Sequence, residues 1–306
     1  MARYLTTRVL YGVVTIALVI LLTFMIQYML PGDPARTIAG PRASEEVLAA
    51  VRERLHLNDP LALQLWHYYS SVFTGDLGES YTRHRPVLDL ILERLPATAL
   101  LAVTALAVEM ILGASLGLWE ALRPTRSWAL AATNVALLSI PPFALGFLLL
   151  LAFGYLVPIF PVDGGTGFSH LVLPALTLGV LGAPYYANVV RDGMKDALAS
   201  SFTRTAVAKG LSRRYVVSRH VVRNALPPSI TMLGMDVAIM FSGVVFVEAI
   251  FGWPGIGALQ TEAFADVDRP VLTGTVIVAA VLVVLGNLAA DVIRAFIDPR
   301  AKVGAL

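Results

Sequence analysis

Six apolar runs close to 20 residues long divide this chain, at residues 9–30, 97–118, 131–156, 171–190, 229–250 and 271–292. At 1.5 Å rise per residue, about 20 helical residues cross the roughly 30 Å hydrocarbon core of a bilayer. Lipid offers backbone groups no water to bond, so only segments that close their own hydrogen bonds survive there, and runs of this length read as α-helices. A mean hydropathy of +0.73 and a charged content of 14% fit a polytopic helical membrane protein and exclude a large soluble core. The first run has Arg3 and Arg8 before it and Pro31-Gly32-Asp33-Pro34 after it. It is too long for the apolar region of a signal peptide and lacks an A-x-A-like site, so it reads as an uncleaved span.

Lys and Arg set the orientation. With the N-terminus inside, fifteen of the 23 basic residues fall in cytoplasmic segments: Arg3 and Arg8, Arg123 and Arg126, eight between Arg191 and Arg223, and Arg294, Arg300 and Lys302. The two short outer loops hold only Arg269. The seven Arg of the long segment 31–96 weigh little, because loops beyond about 60 residues report topology poorly. Both termini are therefore expected in the cytoplasm. The domain plan that follows is a cytoplasmic N-terminus and first span (1–30), an extracytoplasmic helical domain (31–96), five more spans (97–292) with a cytoplasmic loop at 191–228, and a cytoplasmic tail (293–306).

Within that loop the stretch TRTAVAKGLSRRYVVSRHVVRNALPP, residues 203–228, is polar and basic yet lies between two spans. It reads as a short helix around Thr205-Ala206-Val207-Ala208-Lys209, a stop at Gly210, and a second helix capped by Ser212 and ending at residues 224–228. Small residues on the first helix allow another backbone to come close, which suits a docking knob of Ala206, Ala208 and Gly210, oriented by the charges of Arg204, Lys209, Arg213 and Arg214. This segment resembles the EAA loop of ABC-importer permeases, with Thr205-Ala206-Val207 where that family has Glu-Ala-Ala, a glycine at Gly210 and a closing Leu226-Pro227. Thr205 departs from the acidic residue of the generic pattern, but Arg204-Thr205-Ala206 is similar to the RTA of one subfamily.

The segment 31–96 is patterned like folded chain. Ser44-Glu45-Glu46 opens a helix with Val47, Ala50, Val51 and Leu55 on one stripe. A second amphipathic stretch covers residues 61–73, Gly75-Asp76-Leu77-Gly78-Glu79-Ser80 makes a turn, and a third stretch, 86–95, leads into the second span. Such a domain is either a folded cap or part of a surface that receives a solute. PGDP after the first span, GDLGES, and RLPAT before the second resemble the B-type permease of peptide importers. The segment Glu248-Ala249-Ile250-Phe251-Gly252-Trp253-Pro254-Gly255-Ile256-Gly257, followed by Asp268-Arg269-Pro270, Asn287 and Asp298-Pro299-Arg300, extends the likeness in order and spacing, so that the resemblance to the peptide/nickel class of permeases covers nearly the whole chain.

That resemblance implies the six-helix fold of type I ABC-importer permeases and one half of a path for di- and oligopeptides. The same signatures serve importers of nickel chelates, glutathione and glycosides. The implied partners are a paralogous C-type permease, two ATPase subunits or one fused ATPase, an extracytoplasmic solute-binding protein and membrane lipid, with ATP and Mg bound by the ATPases and no cofactor by this chain. Nucleic acid is not an expected partner.

The residues themselves suggest jobs. Gly252, Pro254, Gly255 and Gly257 forbid a regular helix after the fifth span, so the chain there turns or re-enters the membrane mouth as a gate element, or forms an ordinary loop. With Trp253 they make an outer-gate candidate. Asp236 and Glu248 lie on one span about 18 Å and about 120° apart. Charge within a span is costly and seeks protein or water. Asp236, closer to mid-span, is the better pathway candidate, Glu248 sits near the outer mouth, and Glu109 is either a pathway residue or a helix–helix partner. Pro141-Pro142, Pro174 and Pro184 are expected to kink their helices.

No H-E-x-x-H, G-x-S-x-G or Gly-Lys-Ser/Thr phosphate loop occurs, so ATP hydrolysis must come from another polypeptide and no catalytic residue is assigned. The absence of cysteine removes disulfides and thiol chemistry. His56, His67, His84, His170 and His220 are dispersed in sequence, and no metal site is read from them. A transporter that works alone, or a membrane-embedded enzyme, fits less well, because inverted-repeat signals and convergent polar residues are not seen.

Overall fold

The computed structural model describes residues 2–29, 33–40, 42–123 and 128–297, and among these every regular element is helical. Pro31-Gly32, Arg126, Asp298-Pro299-Arg300 and Lys302 lie outside the described residues, as do the side chains of Arg3 and Arg294. Among the described residues four helices are long and apolar enough to cross a membrane: Thr6–Met29 within α1 (Ala2–Met29), α5 (Val87–Ala121), α8 (Phe168–Ala199), and Arg269–Val292 within α14 (Arg269–Ile297). Two bent pairs bring the number to six if each is taken as one span.

One bent pair corrects the expectation of a single run at 131–156. Here α6 (Trp128–Ser139) and α7 (Pro142–Leu150), the latter extended by a π-helical turn at Leu151–Leu156, meet at 105°. Pro141 lacks an N–H and disfavours helical geometry at Ile140, so the first helix stops, and Pro142 is well placed at the start of the next. Proline does not always break the chain: α8 continues through Pro174 and Pro184, and α5 through Pro96. As a result the stretch 86–95 and the second span are one 35-residue helix rather than two elements. Its first turns are held because Val87, Leu90 and Ile91 are buried against Ile256, Leu259, Ala263 and Val271.

Between α1 and α5 lie α2 (Pro34–Ala39), α3 (Glu45–Arg54) and α4 (Leu61–Phe73). Asp33 caps α2 by accepting from the Ala35 amide, with Pro34 opening the helix, and Ser44 caps α3 through the Val47 amide at 3.4 Å. The inward residue of α3 is Leu48, whereas Val47, Ala50 and Leu55 are exposed, so the stripe read from sequence is rotated. Asp33 and Arg52 form an ion pair at 2.5 Å, and this turns the face shared by Leu48 and Arg52, one helical turn apart, toward α2. The Arg52 guanidinium holds the Asp33 carboxyl below its ordinary value, mainly through that hydrogen bond. α4 contains no Asp, Glu, Lys or Arg and lies against α1, where Tyr69 Oη donates to the Ala17 carbonyl and the Tyr68 ring sits 5.7 Å from Phe24.

The centre of the bundle is the seam between α5 and α8. A Cβ on Gly113 would approach the Ala183 carbonyl oxygen to 2.6 Å, and one on Gly117 would approach the Ala187 oxygen to 2.5 Å, so both positions need glycine for the backbones to meet. This is the small-residue packing by which helices associate in lipid, where apolar side chains gain nothing over lipid tails. α12 (Pro227–Phe251) and α14 pack beside this pair, and α1 closes on α14 with Arg8 3.2 Å from Asp291.

Candidate functional site

Three places carry the residues singled out from sequence. The first is the basic loop. α8 ends at Ala199, Ser200 caps α9 (Ser201–Ala208), and the Thr203 hydroxyl donates back to the Ala197 carbonyl at 2.7 Å, so the loop is fixed to the end of α8. Gly210 follows at φ +78, and its amide donates to the Val207 carbonyl, a glycine-terminated helix end. Ser212 then caps α10 (Arg213–Val216), as its spacing implied, and a π-helical turn at Val217–Val221 joins it to α11 (Val222–Ala225).

Burial sorts the residues of this loop. Thr203, Ala206, Val216, Val221 and Ala225 turn inward onto Val190 and Met194 of α8 and Ala121 of α5. Ala206 therefore anchors the knob and does not face outward. Arg204, Thr205, Ala208, Lys209, Gly210, Arg213 and Arg214 are exposed, together with Phe202, Val207, Leu211 and Tyr215. The loop thus exposes large apolar side chains and cations together, and no Asp or Glu occurs from residue 197 to 235.

The second place is the segment after α12. α12 ends at Gly252 (φ +59), and the chain turns through 77° into α13 (Ile256–Ala265). Glu248 is fully buried within this turn. Its Oε1 accepts from the Thr98 hydroxyl at 2.7 Å, and its Oε2 accepts from the Gly257 and Ala258 amides at 2.7 and 3.2 Å. Thr98 in turn accepts from the Ile256 amide at 2.8 Å, and the Trp253 indole donates to the Ala97 carbonyl at 2.9 Å. A carboxylate here satisfies the orphan amides of the first turn of α13 and opposes its positive dipole end. Glu248, Trp253, Gly255 and Gly257 are buried within the chain, so they hold the bend; Pro254 is half-buried. Gly255 and Gly257 leave the space that the carboxylate fills.

The α13–α14 junction shows a site that sequence reasoning missed. Asp268 is buried and accepts from the Ser80 hydroxyl at 2.5 Å, the Thr82 hydroxyl at 3.0 Å and the Tyr81 and Thr82 amides at 3.3 Å, and it also reaches the Val271 amide in the first turn of α14. Arg83 adds an ion pair to Glu262 at 2.5 Å. Burial pushes the neighbouring Tyr81 phenol above its ordinary value, opposed by Arg269 and reinforced by Asp268. The GDLGES and Asp268-Arg269-Pro270 motifs, 188 residues apart at Ser80 and Asp268, are thus two halves of one contact.

The third place is the bundle centre. Tyr186 of α8, fully buried, donates its hydroxyl to Asp236 of α12, which is half-buried. Glu109 of α5 lies over Gly182, where any Cβ would collide with its carboxyl group, and its Oε2 has no hydrogen-bond partner among the described residues. Sequence reasoning named both acids; Tyr186, which joins two of the helices, carried no signal. At the basic end, Arg191 bridges Glu120 and Asp192 at 3.4 and 2.9 Å.

Apolar helices packed around buried ionisable groups, a capped bend between α12 and α13 and an exposed basic loop are the features of a helical membrane protein. The chain belongs to the binding-protein-dependent transport system inner membrane component family, which matches residues 109–303, with the N-terminal part of such components matching residues 1–102. It is a permease subunit of an ABC importer of the peptide/nickel class. Along its length it is similar to the glutathione transport system permease protein GsiC of Escherichia coli (strain K12) and of Salmonella typhimurium (strain LT2), at 38% identity over 307 residues covering 99% of each chain.

Proposed function

We propose that this permease forms one half of an ATP-driven path for di- and oligopeptides, with glutathione, itself a tripeptide, within that class. The full-length 38% identity to permeases named for glutathione transport carries this reading. A paralogous C-type permease supplies the other half, an extracytoplasmic protein delivers the solute, and ATPases holding ATP and Mg dock on the basic loop. The exposed apolar side chains of Phe202, Val207, Leu211 and Tyr215, with the exposed cations Arg204, Lys209, Arg213 and Arg214, give this loop the composition of a docking surface. Proteoliposomes containing both permeases, the ATPases and the binding protein should take up dipeptides and glutathione saturably and only with ATP. Uptake of a glycoside or a nickel chelate with neither peptide nor glutathione transported would overturn the peptide class.

The orientation belongs to the same reading: N-terminus, C-terminus and basic loop in the cytoplasm, and the segment 31–96 on the outer side, with its apolar α4 laid back along α1. The cysteine-free chain gives a clean labelling background. A cysteine at exposed Glu46 should react with an impermeant maleimide from outside, and one at exposed Ser218 only after the membrane is opened. Reaction of both from one side would exclude this arrangement.

The exposed part of Asp236 faces the solute path and meets the amino end of a peptide. Asp236→Asn keeps the hydrogen bond from Tyr186 and removes the charge, so uptake should fall by about 10-fold, the effect of roughly 1.4 kcal/mol, while assembly persists. Unchanged uptake in Asp236→Asn, with Asp236→Leu failing to assemble, would reduce the residue to a bond between α8 and α12.

A further inference from the structure

We propose that the turn between α3 and α4 binds one divalent transition-metal ion of the zinc type through His56, Asp59 and His67. The three are spread over twelve residues of sequence, yet the fold brings one donor atom from each within 4.8 Å of the others. His56 Nδ1 lies 3.2 Å and His67 Nε2 3.8 Å from the same oxygen, Asp59 Oδ2. Tetrahedral zinc with bonds of about 2.0–2.1 Å places its donors roughly 3.3 Å apart, so the three groups share an ion once the rings turn toward one point and the donors, now within 4.8 Å, draw together.

The backbone is shaped for this convergence. His56 stands at φ +56, a conformation uncommon for a residue with a Cβ, and its carbonyl accepts from the Asp59 amide at 3.2 Å, which folds the turn back on itself. Gln64, in the first turn of α4, donates its side-chain amide to the carbonyls of Leu57 at 3.0 Å and Asp59 at 2.8 Å. That fixes the Asp59 backbone over the helix that carries His67. The two imidazoles stack at 4.3 Å with an interplanar angle of 16°, which holds both rings beside the carboxylate. Two imidazoles and one carboxylate favour zinc, copper or nickel over magnesium or calcium, which take mostly oxygen. With the three side chains 31–53% exposed, a fourth position is open to water.

An ion here would join the turn after α3 to the middle of α4, the helix that lies along α1. The test uses the full chain in lipid nanodiscs, carrying an affinity tag without histidine. Zinc titrated calorimetrically should bind with one-to-one stoichiometry, and cobalt should give the intense visible bands of a tetrahedral site. His56→Asn tolerates the positive φ, and His67→Phe keeps the ring stack; each should weaken binding at least about 10-fold. His84→Asn should change nothing. His56→Cys, the only thiol in the chain, should add a near-ultraviolet thiolate-to-cobalt band that a misfolded variant would not give. Absence of a saturable one-to-one site in the wild type, wild-type binding by the His56→Asn/His67→Phe double variant, or a cobalt complex of His56→Cys without that band would each overturn the site.

Discussion

Glu248→Ala is expected to unmake the bend between α12 and α13. The substitution leaves the Thr98 hydroxyl and the Gly257 and Ala258 amides facing a void in a region where Glu248 is 0% exposed. Hydrogen bonds to a charged acceptor contribute about 1.5–3 kcal/mol each, and buried donors left unpaired carry their full desolvation cost. The loss is on the order of 4 kcal/mol, a large part of the 5–15 kcal/mol that separates typical folded and unfolded chains. Glu248→Gln separates shape from charge. Its oxygen can still accept from the α13 amides and its nitrogen can donate to Thr98, so it should cost about 1 kcal/mol. Fluorescence-detected chromatography of heated membrane extracts measures both, and an alanine variant melting within about 2 °C of wild type would remove Glu248 from this role.

Gly210→Trp should abolish coupled uptake while the protein still inserts. A Cβ at Gly210 meets nothing within 4 Å, so the chain itself has room and the indole would stand out from the proposed docking face. The positive φ adds about 1–2 kcal/mol of strain for any residue other than glycine, with asparagine penalised least. α9 withstands that locally, because Thr203 and Ala206 hold it to the bundle. A bulky side chain in a close-packed contact should remove at least about 2 kcal/mol of docking, roughly 30-fold in affinity. Gly210→Asn isolates the strain and should retain most uptake. The readouts are ATP-dependent uptake and co-purification of the ATPase, and full values of both for the tryptophan variant would move the docking surface elsewhere.

Hydropathy located the apolar runs because span length is set by the bilayer, a constraint every residue of a run reports. The caps at Ser44 and Ser212 were equally visible, since a cap involves residues three apart in sequence. The continuity of α5 through Pro96 was not legible: a proline removes one intrahelical bond, and the burial of Val87, Leu90 and Ile91 that outweighs it is a tertiary fact. The face of α3 was misplaced because an ion pair to Asp33, outside the helix, sets its rotation.

The candidate sites divide in the same way. The glycine stop at Gly210 and the exposed cations are local facts, whereas the inward turn of Ala206 depends on where α8 lies. Glu248 stood out as an acid at the end of a span, but its acceptor role needs α13 to fold back and present its amides. Ser80 and Asp268, and likewise Tyr186 and Asp236, meet only across the fold, and single-sequence periodicity carries no trace of such pairs.

The glycine seam between α5 and α8 has a mechanical meaning. With the backbones in contact at Gly113 and Gly117, the two helices pack as one unit there. Its length follows from α5, 35 residues or about 52 Å. One end is bolted to the cationic loop through Ala121, Val190, Met194 and Ala206, and the other to the α13–α14 elbow through Val87, Leu90 and Ile91. One continuous helix pair thus connects the loop to the opposite rim of the bundle.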